Sequence, residues 1–462
     1  MECQKHSSKP NSKTYKKMTT LYDITKYAKD RGLVGEEKGF LVCTSALVAR
    51  KPIGVLIVSA AGSGKTVIMD KLVGDEGLNE DALIDSRFLY FKDMASSTAD
   101  FYDQKINNAP IMVMKELQKD KSHNAIEMMK SLTEGKSARR KVTDVTIGDV
   151  REQVIEAKCV FGSLAIENEH KPDAELQRRC ITVTTDVSKE QTTKVLELKA
   201  SLKYNPQSLR VISDDEVNEI RASINALMQM KIKVVNPYAV EFAKLVAKIA
   251  PDQKARSMME HFWDVMEGVV KINSLAGPIF VNGDCILANI QDLLMTMDIY
   301  MDSFINDLHG IPPMGAIVLQ GFKDAEAMLK EDTGKSMSSD LSKFSLDGSF
   351  KAKAWLTINQ IREAIRKKQN VNLKTKAVTD IVKQLIDAGY VEDNRESKTI
   401  TYQMVEDFAS TINIDNQAFI ESASALIKKD FPEAFDEWSQ KQYSAYKHPI
   451  TGEAVEIWTS SK

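Results

Sequence analysis

Cysteine and histidine are scarce in this sequence, and neither is arranged as a metal site or a disulfide framework would require. The five cysteines are scattered, odd in number and form no C-x-x-C pair. The six histidines are equally scattered and lack the spacing of metal ligands. Both absences favour a reducing compartment, so we expect a cytoplasmic protein.

Long apolar runs and a strong charge imbalance are also missing. No run approaches the roughly 18 apolar residues of a membrane-spanning helix, and no apolar segment follows the Lys-rich N-terminus, so we expect neither a membrane protein nor a signal peptide. The formal net charge is only −3, so any nucleic-acid surface must be a local patch. Apolar residues make up 43% of the 462, which excludes wholesale disorder and supports about three folded units.

Short apolar runs alternate with helical patterns in the first half of the chain, which predicts a parallel α/β sheet. The runs are 53–59, 88–91, 111–114 and 160–165. From 214 to 330 the apolar residues follow a helical pattern that is rich in Met. Residues 331–352 have little apolar periodicity, and 353–404 read as two helices and a hairpin, as in a winged helix. The predicted units are a disordered basic tail (1–19), an α/β core (20–213), an all-α domain (214–330), a linker (331–352), a winged helix (353–404) and an acidic helical C-terminal segment (405–462).

A phosphate-binding loop follows the first apolar run. It consists of Ser59, Ala60, Ala61, Gly62, Ser63, Gly64, Lys65 and Thr66, and a helical pattern begins directly after it. Small residues let backbone N–H groups approach a phosphate, the lysine reaches the terminal phosphates and the threonine hydroxyl ligates Mg²⁺. Ser59 replaces the usual first glycine of this motif. The alternative is a chance Gly/Ser turn, but the strand–loop–helix context predicts binding of ATP and Mg²⁺.

An acidic residue, Glu116, follows the apolar run Ile111–Met114. Glu116 stands where a catalytic carboxylate would orient water for attack on the γ-phosphate. Lys115 occupies the place of the metal-side Asp that usually precedes it. The alternative for Glu116 is a solvated strand end.

With these motifs the chain resembles the AAA+ ATPases, and more narrowly the MCM-like replicative helicases and the helicase-like ATPases of archaeal and viral mobile elements. The resemblance rests on 52–58, 62–66, 113–116, 131–136, 161–165 and 175–181, and covers roughly 35–310 plus the winged helix. It implies an AAA+ P-loop parallel-sheet core with an all-α lid and a C-terminal winged helix. It also implies a homo-oligomer, most often a hexamer, with a primase or other replication protein as a possible partner.

The resemblance also implies roles for particular residues. Asn168, or alternatively Ser163, would sense the γ-phosphate. Arg178 and Arg179 match the place of an arginine finger, which completes the neighbouring subunit's site. Arg256 would be a lid arginine that contacts the nucleotide. In each arginine case the alternative is an ordinary surface residue.

Two segments are candidates for contact with DNA. The segment 137–158 has two β-leaning arms around Gly148-Asp149, which predicts a hairpin, and one arm begins with Arg139, Arg140 and Lys141. The region 353–404 carries ten Lys/Arg against six Asp/Glu, a net charge of +4. Its candidate phosphate contacts are Arg366, Lys367, Lys374 and Lys376. The alternatives are a solvated hairpin edge or subunit contact, and a winged helix that docks protein.

Two function classes follow. The first is an ATP hydrolase that forms a ring and acts as a DNA helicase or translocase in DNA replication, on single-stranded or forked DNA. The second is an ATP-switched DNA-binding initiator or regulator similar to archaeal origin-recognition ATPases. A hairpin between Glu116 and the predicted strand 160–165 favours the first class, the helicase or translocase.

Overall fold

This computed structural model describes most of the chain, in the following ranges. They are 19–59, 62–75, 82–92, 103, 105–115, 117, 123–144, 149–165, 175, 178–205, 212–250, 253–311, 314–336, 355–395, 399–405, 412 and 414–457. The predicted basic tail up to residue 18 and the predicted linker from 337 to 352 lie outside them.

A five-stranded parallel sheet forms the centre of the first half. Its strands are β1 (Gly54–Ser59), β2 (Leu89–Phe91), β3 (Ile111–Met114), β6 (Cys159–Ala165) and β7 (Cys180–Val183), in the order β2-β3-β6-β1-β7. The four runs read from the sequence are four of these strands, and the parallel α/β prediction is confirmed. The fifth strand, β7, was not predicted, because Thr182 interrupts its short apolar run.

Helices precede, separate and follow these strands along the chain. They are α1 (Leu21–Asp30), α2 (Glu37–Ala49), α3 (Lys65–Val73), α4 (Lys105–Asn108), α5 (His123–Thr133) and α6 (Lys189–Tyr204). Every residue of α2 from Phe40 to Ala49 is buried, so this helix lies inside the largest core. A helix that is apolar on all sides is expected in such a position.

A hairpin projects from the connection between α5 and β6. Its strands are β4 (Ala138–Asp144) and β5 (Asp149–Ile155), paired antiparallel from Ala138↔Ile155 to Asp144↔Asp149. The predicted hairpin is therefore present, but its turn differs. Asp149 belongs to a strand, and the connection is 145–148, which lies outside the described residues. The apolar arms gave no unique register because both faces of the hairpin are mixed.

The region predicted as an all-α domain holds helices and a small sheet. The helices are α7 (Asp214–Gln229), α8 (Ala239–Ile249), α9 (Gln253–Asn273) and α10 (Ile290–Leu308), and the strands are β8 (Lys233–Val235), β9 (Phe280–Val281) and β10 (Cys285–Leu287). The strands pair in the order β8-β10-β9, so the domain is not all-α. Strands of two or three residues leave no alternation for a sequence to reveal.

A second core unites the next helix with the predicted winged-helix region. Helix α11 (Gly315–Ser336) packs against α12 (Ile358–Lys368) and α13 (Thr375–Asp387), with β11 (Val391–Asn394) paired to β12 (Thr401–Met404). Ile311 to Ala325 share this core with Leu356 to Met404. The boundary near 330 is therefore wrong, and the first six residues of the predicted linker are helical. Their Asp, Gly and Ser content disfavours a helix only weakly.

The C-terminal segment returns to the first core. It contains α14 (Asn416–Asp430), α15 (Phe435–Lys441) and a small hairpin of β13 (Tyr446–Lys447) and β14 (Ala454–Val455). The fully buried Trp438 donates its Nε1–H to the Ala288 carbonyl at 3.0 Å. The Thr25 hydroxyl donates to the Pro449 carbonyl at 2.6 Å. A truncation that removes this segment would open the main core, so the role of the neighbouring module is best tested by substitutions.

No helix in the described part of the chain is long and apolar enough to cross a bilayer.

Candidate functional site

The candidate phosphate loop lies at the carboxyl end of the buried strand β1. This strand lies between β6 and β7, and all six of its residues are buried. Ala60 and Ala61 lie outside the described residues. The chain continues at Gly62, and Gly64 precedes helix α3 as its N-cap in the left-handed conformation, with φ 95°. The start of α3 therefore faces the space beyond the strand end, as an anion site at a helix N-terminus requires.

The two glycines of the loop border open space. Gly62 has φ +75° and Gly64 has φ +95°, and a Cβ added at either would meet no atom within 4 Å. Backbone conformation, rather than crowding, therefore explains why these positions are glycine.

Side chains around the loop are arranged to receive oxygen atoms. Lys65 is only 9% exposed, and its Nζ donates to the Ser59 carbonyl at 3.0 Å. Thr66 is exposed on the first turn of α3. The hydroxyls of Ser59 and Ser63 are buried, and no described residue is hydrogen-bonded to them. Because buried hydroxyls are normally paired, these two are suited to a bound ligand such as a phosphate.

A magnesium ion at this loop would depend on the nucleotide for most of its ligands. Among the described residues, no group of three or more His, Cys, Asp or Glu is placed to hold a metal ion. The Thr66 hydroxyl is the available protein ligand on α3. Mg²⁺ often binds through substrate phosphates and few protein groups, so the residues present fit this mode.

Lys115, at the end of β3, forms an ion pair that the sequence did not reveal. Its Nζ lies 2.6 Å from Asp75 Oδ1 and 3.3 Å from Asp70 Oδ1. Asp70 belongs to α3, one turn beyond Thr66. The two carboxylates offset the lysine charge next to the expected metal position. Glu116, the predicted catalytic acid, lies outside the described residues.

Strand β6, which lies between β1 and β3, carries one of the two sensor candidates, Ser163. In the β6 pairings, Ser163 is opposite Ile57 of β1. Its hydroxyl donates to the Lys115 carbonyl, so it ties β6 to the end of β3. Asn168, the first sensor candidate, lies outside the described residues.

Arg178 and Arg179 lie at the opposite edge of the sheet from the phosphate loop. Arg179 directly precedes β7, and its carbonyl accepts a hydrogen bond from the Gly54 amide at 3.3 Å. Gly54 begins β1 and Ser59 ends it. At about 3.3 Å per residue, the six residues of this strand separate the two edges by about 20 Å. The arginine pair therefore cannot reach the phosphate loop of its own subunit.

The two arginines differ in their surroundings. Arg178 is exposed. The Arg179 side chain is 15% exposed, and its Nη2 lies 2.5 Å from Glu175 Oε1 and 2.6 Å from Glu134 Oε1. Its Nη1 also donates to the Lys130 carbonyl at 3.0 Å. Arg178 is therefore the member of the pair that is positioned to meet a neighbouring molecule.

The β4–β5 hairpin is anchored at the same edge of the sheet. Ala138 and Ile155, at its base, are buried in a core with strands β1, β3 and β6. Asn107 Nδ2 donates to the Val154 carbonyl at 2.8 Å, and its Oδ1 accepts from the Glu156 amide at 3.0 Å. The hairpin base is thus held firmly while the strands extend outward.

The three predicted DNA-contacting cations occupy consecutive positions on β4. Arg139 and Lys141 are exposed, and Arg140 is half-buried. Arg139 lies 3.7 Å from Glu152 across the hairpin. Alternation along a strand places Arg139 and Lys141 on one face and Arg140 on the other. An exposed pair of cations on one face suits contact with a phosphate backbone.

Arg256 is exposed near the start of α9. This helix packs closely on α2 at Gly268, where an added side chain would strike the Ser45 backbone. Glu267 pairs with Lys51 at 3.0 Å, just before the amino end of β1. The second half of α9 therefore lies at the amino edge of the sheet. Within the described ranges no residue is hydrogen-bonded to the Arg256 side chain, so its contact with nucleotide stays a prediction.

The cations of the C-terminal module fall into two groups. Arg366 and Lys367 both pair with Glu363, at 2.7 and 3.3 Å, which offsets part of their charge. Lys374 and Lys376 are exposed at the start of α13. A helix N-terminus flanked by lysines favours anions, so this second group is better placed to meet phosphates.

Comparison with known proteins adds no identification. No model of a known protein family matches this chain, and no match was found among curated proteins.

Proposed function

We propose that this protein hydrolyses ATP in the presence of Mg²⁺ and uses the reaction to move along DNA as a ring of identical subunits. The activity would be that of a helicase or translocase in DNA replication, on single-stranded or forked DNA. The observation that carries the proposal is the placement of the phosphate loop and Arg178 on opposite edges of one sheet. Such a subunit holds half of a catalytic site on each edge, and a closed head-to-tail ring joins the halves.

The phosphate loop supports the hydrolytic part of the proposal. Lys65 and the helix start bring positive charge to the carboxyl end of β1, where two buried hydroxyls have no hydrogen-bond partner among the described residues. Glu116 follows β3, two strands away from β1, and would orient the attacking water. Arg178 of the adjacent subunit would stabilise the charge that develops on the transferred phosphoryl group.

A second candidate function is favoured by the module 311–404. Three helices and a two-stranded hairpin share one core there, which is the composition of a winged helix. With Lys374 and Lys376 at the start of α13, this module suits duplex DNA. An ATP-switched initiator or regulator would need this module and the phosphate loop, but neither a ring nor the β4–β5 hairpin.

Size measurement with and without ligands distinguishes the two functions. We expect a hexamer in the presence of ATP and single-stranded DNA, measured by light scattering after size-exclusion chromatography, together with ATP hydrolysis that the DNA stimulates. The control is the same measurement with ADP and without DNA. A monomer under every condition that binds duplex DNA and is not stimulated by single strands would reject the ring in favour of the switch.

The hairpin cations give a test of the translocation step. We expect that replacing Arg139, Arg140 and Lys141 together by Ala leaves hexamer assembly near normal and removes stimulation by single-stranded DNA and strand separation. The loss should be uniform across sequences, because phosphate contacts carry no base information. The measurement is unwinding of a forked duplex.

A matched control for this variant removes three cations from another exposed surface. Replacing Lys194, Lys199 and Lys203 of the exposed helix α6 by Ala changes the charge equally and should leave unwinding intact. Normal unwinding by the hairpin variant would indicate that the hairpin has a structural role or forms a subunit contact instead.

A further inference from the structure

The exposed arginine and the hairpin are joined by an ion-pair network at the amino edge of the sheet. Glu134 and Glu175 both bind Arg179 Nη2, at 2.6 and 2.5 Å. Glu134 is the first residue of the corner after α5, and β4 begins four residues later. Arg179 is the neighbour of Arg178. A single guanidinium therefore links the start of the hairpin to the turn that carries the exposed arginine.

Further contacts extend this network into α5. Lys130 Nζ, in a side chain only 10% exposed, lies 3.2 Å from Glu175 Oε2. The Lys130 carbonyl accepts from Arg179 Nη1 at 3.0 Å. Glu175 is thus shared by two cations, and Arg179 is held at three points. An arginine with several bonds in a half-buried setting keeps one position, unlike an exposed pair whose side chains are free to move.

The corner itself is well defined. Gly135 has φ +74° and its amide donates to the Leu132 carbonyl at 3.3 Å, while the Lys136 amide donates to the Ser131 carbonyl at 3.0 Å. This is the pattern of a helix that ends in a left-handed glycine. Lys136 donates to Glu134 at 2.9 Å, and this bond, with the charges of Arg179 and Arg178, holds the pKa of Glu134 below its usual range. Glu134 is therefore ionised at neutral pH.

We propose that Arg179 is a positioning residue which, through Glu134 and Glu175, couples the β4–β5 hairpin to Arg178. A displacement of the hairpin by bound single-stranded DNA shifts the corner at Glu134, and the bonds to Arg179 carry this shift to Arg178. DNA on one subunit thereby adjusts the arginine presented to the adjacent phosphate loop. The inference rests on the proposed function, because it assigns a role to Arg178 and to DNA on the hairpin.

The double variant Glu134→Gln with Glu175→Gln removes both carboxylate charges from Arg179 and leaves the hairpin cations in place. We expect stimulation of ATP hydrolysis by a single-stranded oligothymidine to fall at least fivefold relative to wild type. Affinity for the same oligothymidine, measured by fluorescence anisotropy, should stay within twofold. The matched control is Glu127→Gln, which loses an exposed carboxylate on α5 that pairs with Lys130 and not with Arg179; its stimulation should stay normal.

Two results overturn the coupling. Stimulation retained by the double variant shows that Arg179 transmits nothing, and a parallel loss of oligothymidine affinity shows that the carboxylates only hold the hairpin in shape. If the double variant does not fold, Arg179→Lys keeps the charge and loses the forked bonds, and the same loss of stimulation is expected. Failure of the proposed function gives a different result, because the wild-type protein itself then shows no stimulation of ATP hydrolysis by DNA. That result would reject both the proposed function and the coupling.

Discussion

Lys65→Ala is expected to abolish ATP binding and hydrolysis. Lys65 is the only cation within the phosphate loop, and its buried Nζ lies at the strand end, 3.0 Å from the Ser59 carbonyl. Loss of one preorganised group of this kind lowers turnover by at least about 100-fold. The measurement is ATP hydrolysis at saturating ATP, together with binding of a fluorescent ATP analogue.

The matched control is Lys71→Ala, on the same helix but beyond its first turn. It should bind and hydrolyse ATP normally. Glu116→Gln provides a second comparison, since it should retain ATP binding and lose hydrolysis because the attacking water lacks its base. If the Lys65→Ala protein is folded and binds ATP normally, the loop is not part of the nucleotide site.

Arg178→Ala is expected to fold, bind ATP and fail to hydrolyse it. The side chain is exposed, so its removal leaves the core intact. An arginine that stabilises phosphoryl transfer contributes a factor of about 10³ or more to turnover. Because about 20 Å of strand separates Arg178 from its own loop, the missing charge would belong to the neighbouring subunit's site in the proposed ring. The measurement is ATP hydrolysis by the assembled hexamer.

Mixing Arg178→Ala with Lys65→Ala tests that the arginine acts between subunits. Each variant keeps the half of the site that the other lacks. In a randomly mixed ring, about a quarter of the interfaces join an intact loop to an intact arginine, so an equal mixture should recover up to about a quarter of wild-type hydrolysis. The control mixes Lys65→Ala with Glu116→Gln, whose defects lie on the same half. Absence of recovery in rings shown to be mixed would contradict a shared site.

Four of the five sheet strands were predictable because each is a nearly continuous apolar run bounded by polar residues. Runs of this kind are typical of strands buried on both faces, and they were found at β1, β2, β3 and β6. The strand–loop–helix arrangement around the candidate phosphate loop was predictable for a related reason, since the loop glycines are required by local backbone conformation. Gly62 and Gly64 both have positive φ values. Such local requirements leave their mark on consecutive residues.

The division into units was less predictable, because it depends on which helices share a core. Helix α11 has an ordinary composition, and only its packing against α12 and α13 assigns it to the C-terminal module. The acidic C-terminal segment likewise gave no sign that Trp438 would be buried against the strands and helices that precede α10. The hydrophobicity of a residue indicates that it will be buried, but it does not indicate which residues will pack against it.

For the candidate site, the sequence by itself determined the strand, glycine turn and helix of the candidate phosphate loop, the parallel sheet that carries them and the existence of a cationic hairpin. Only the tertiary structure decided that Arg178 and the loop lie on opposite edges, and that Arg179 is bound by Glu134 and Glu175 while Arg178 is exposed. Two adjacent arginines are equivalent in a sequence. They become different when Glu134, 45 positions away, supplies a carboxylate to Arg179 and not to Arg178. Ion pairs between distant residues depend on the fold, and no local pattern encodes them.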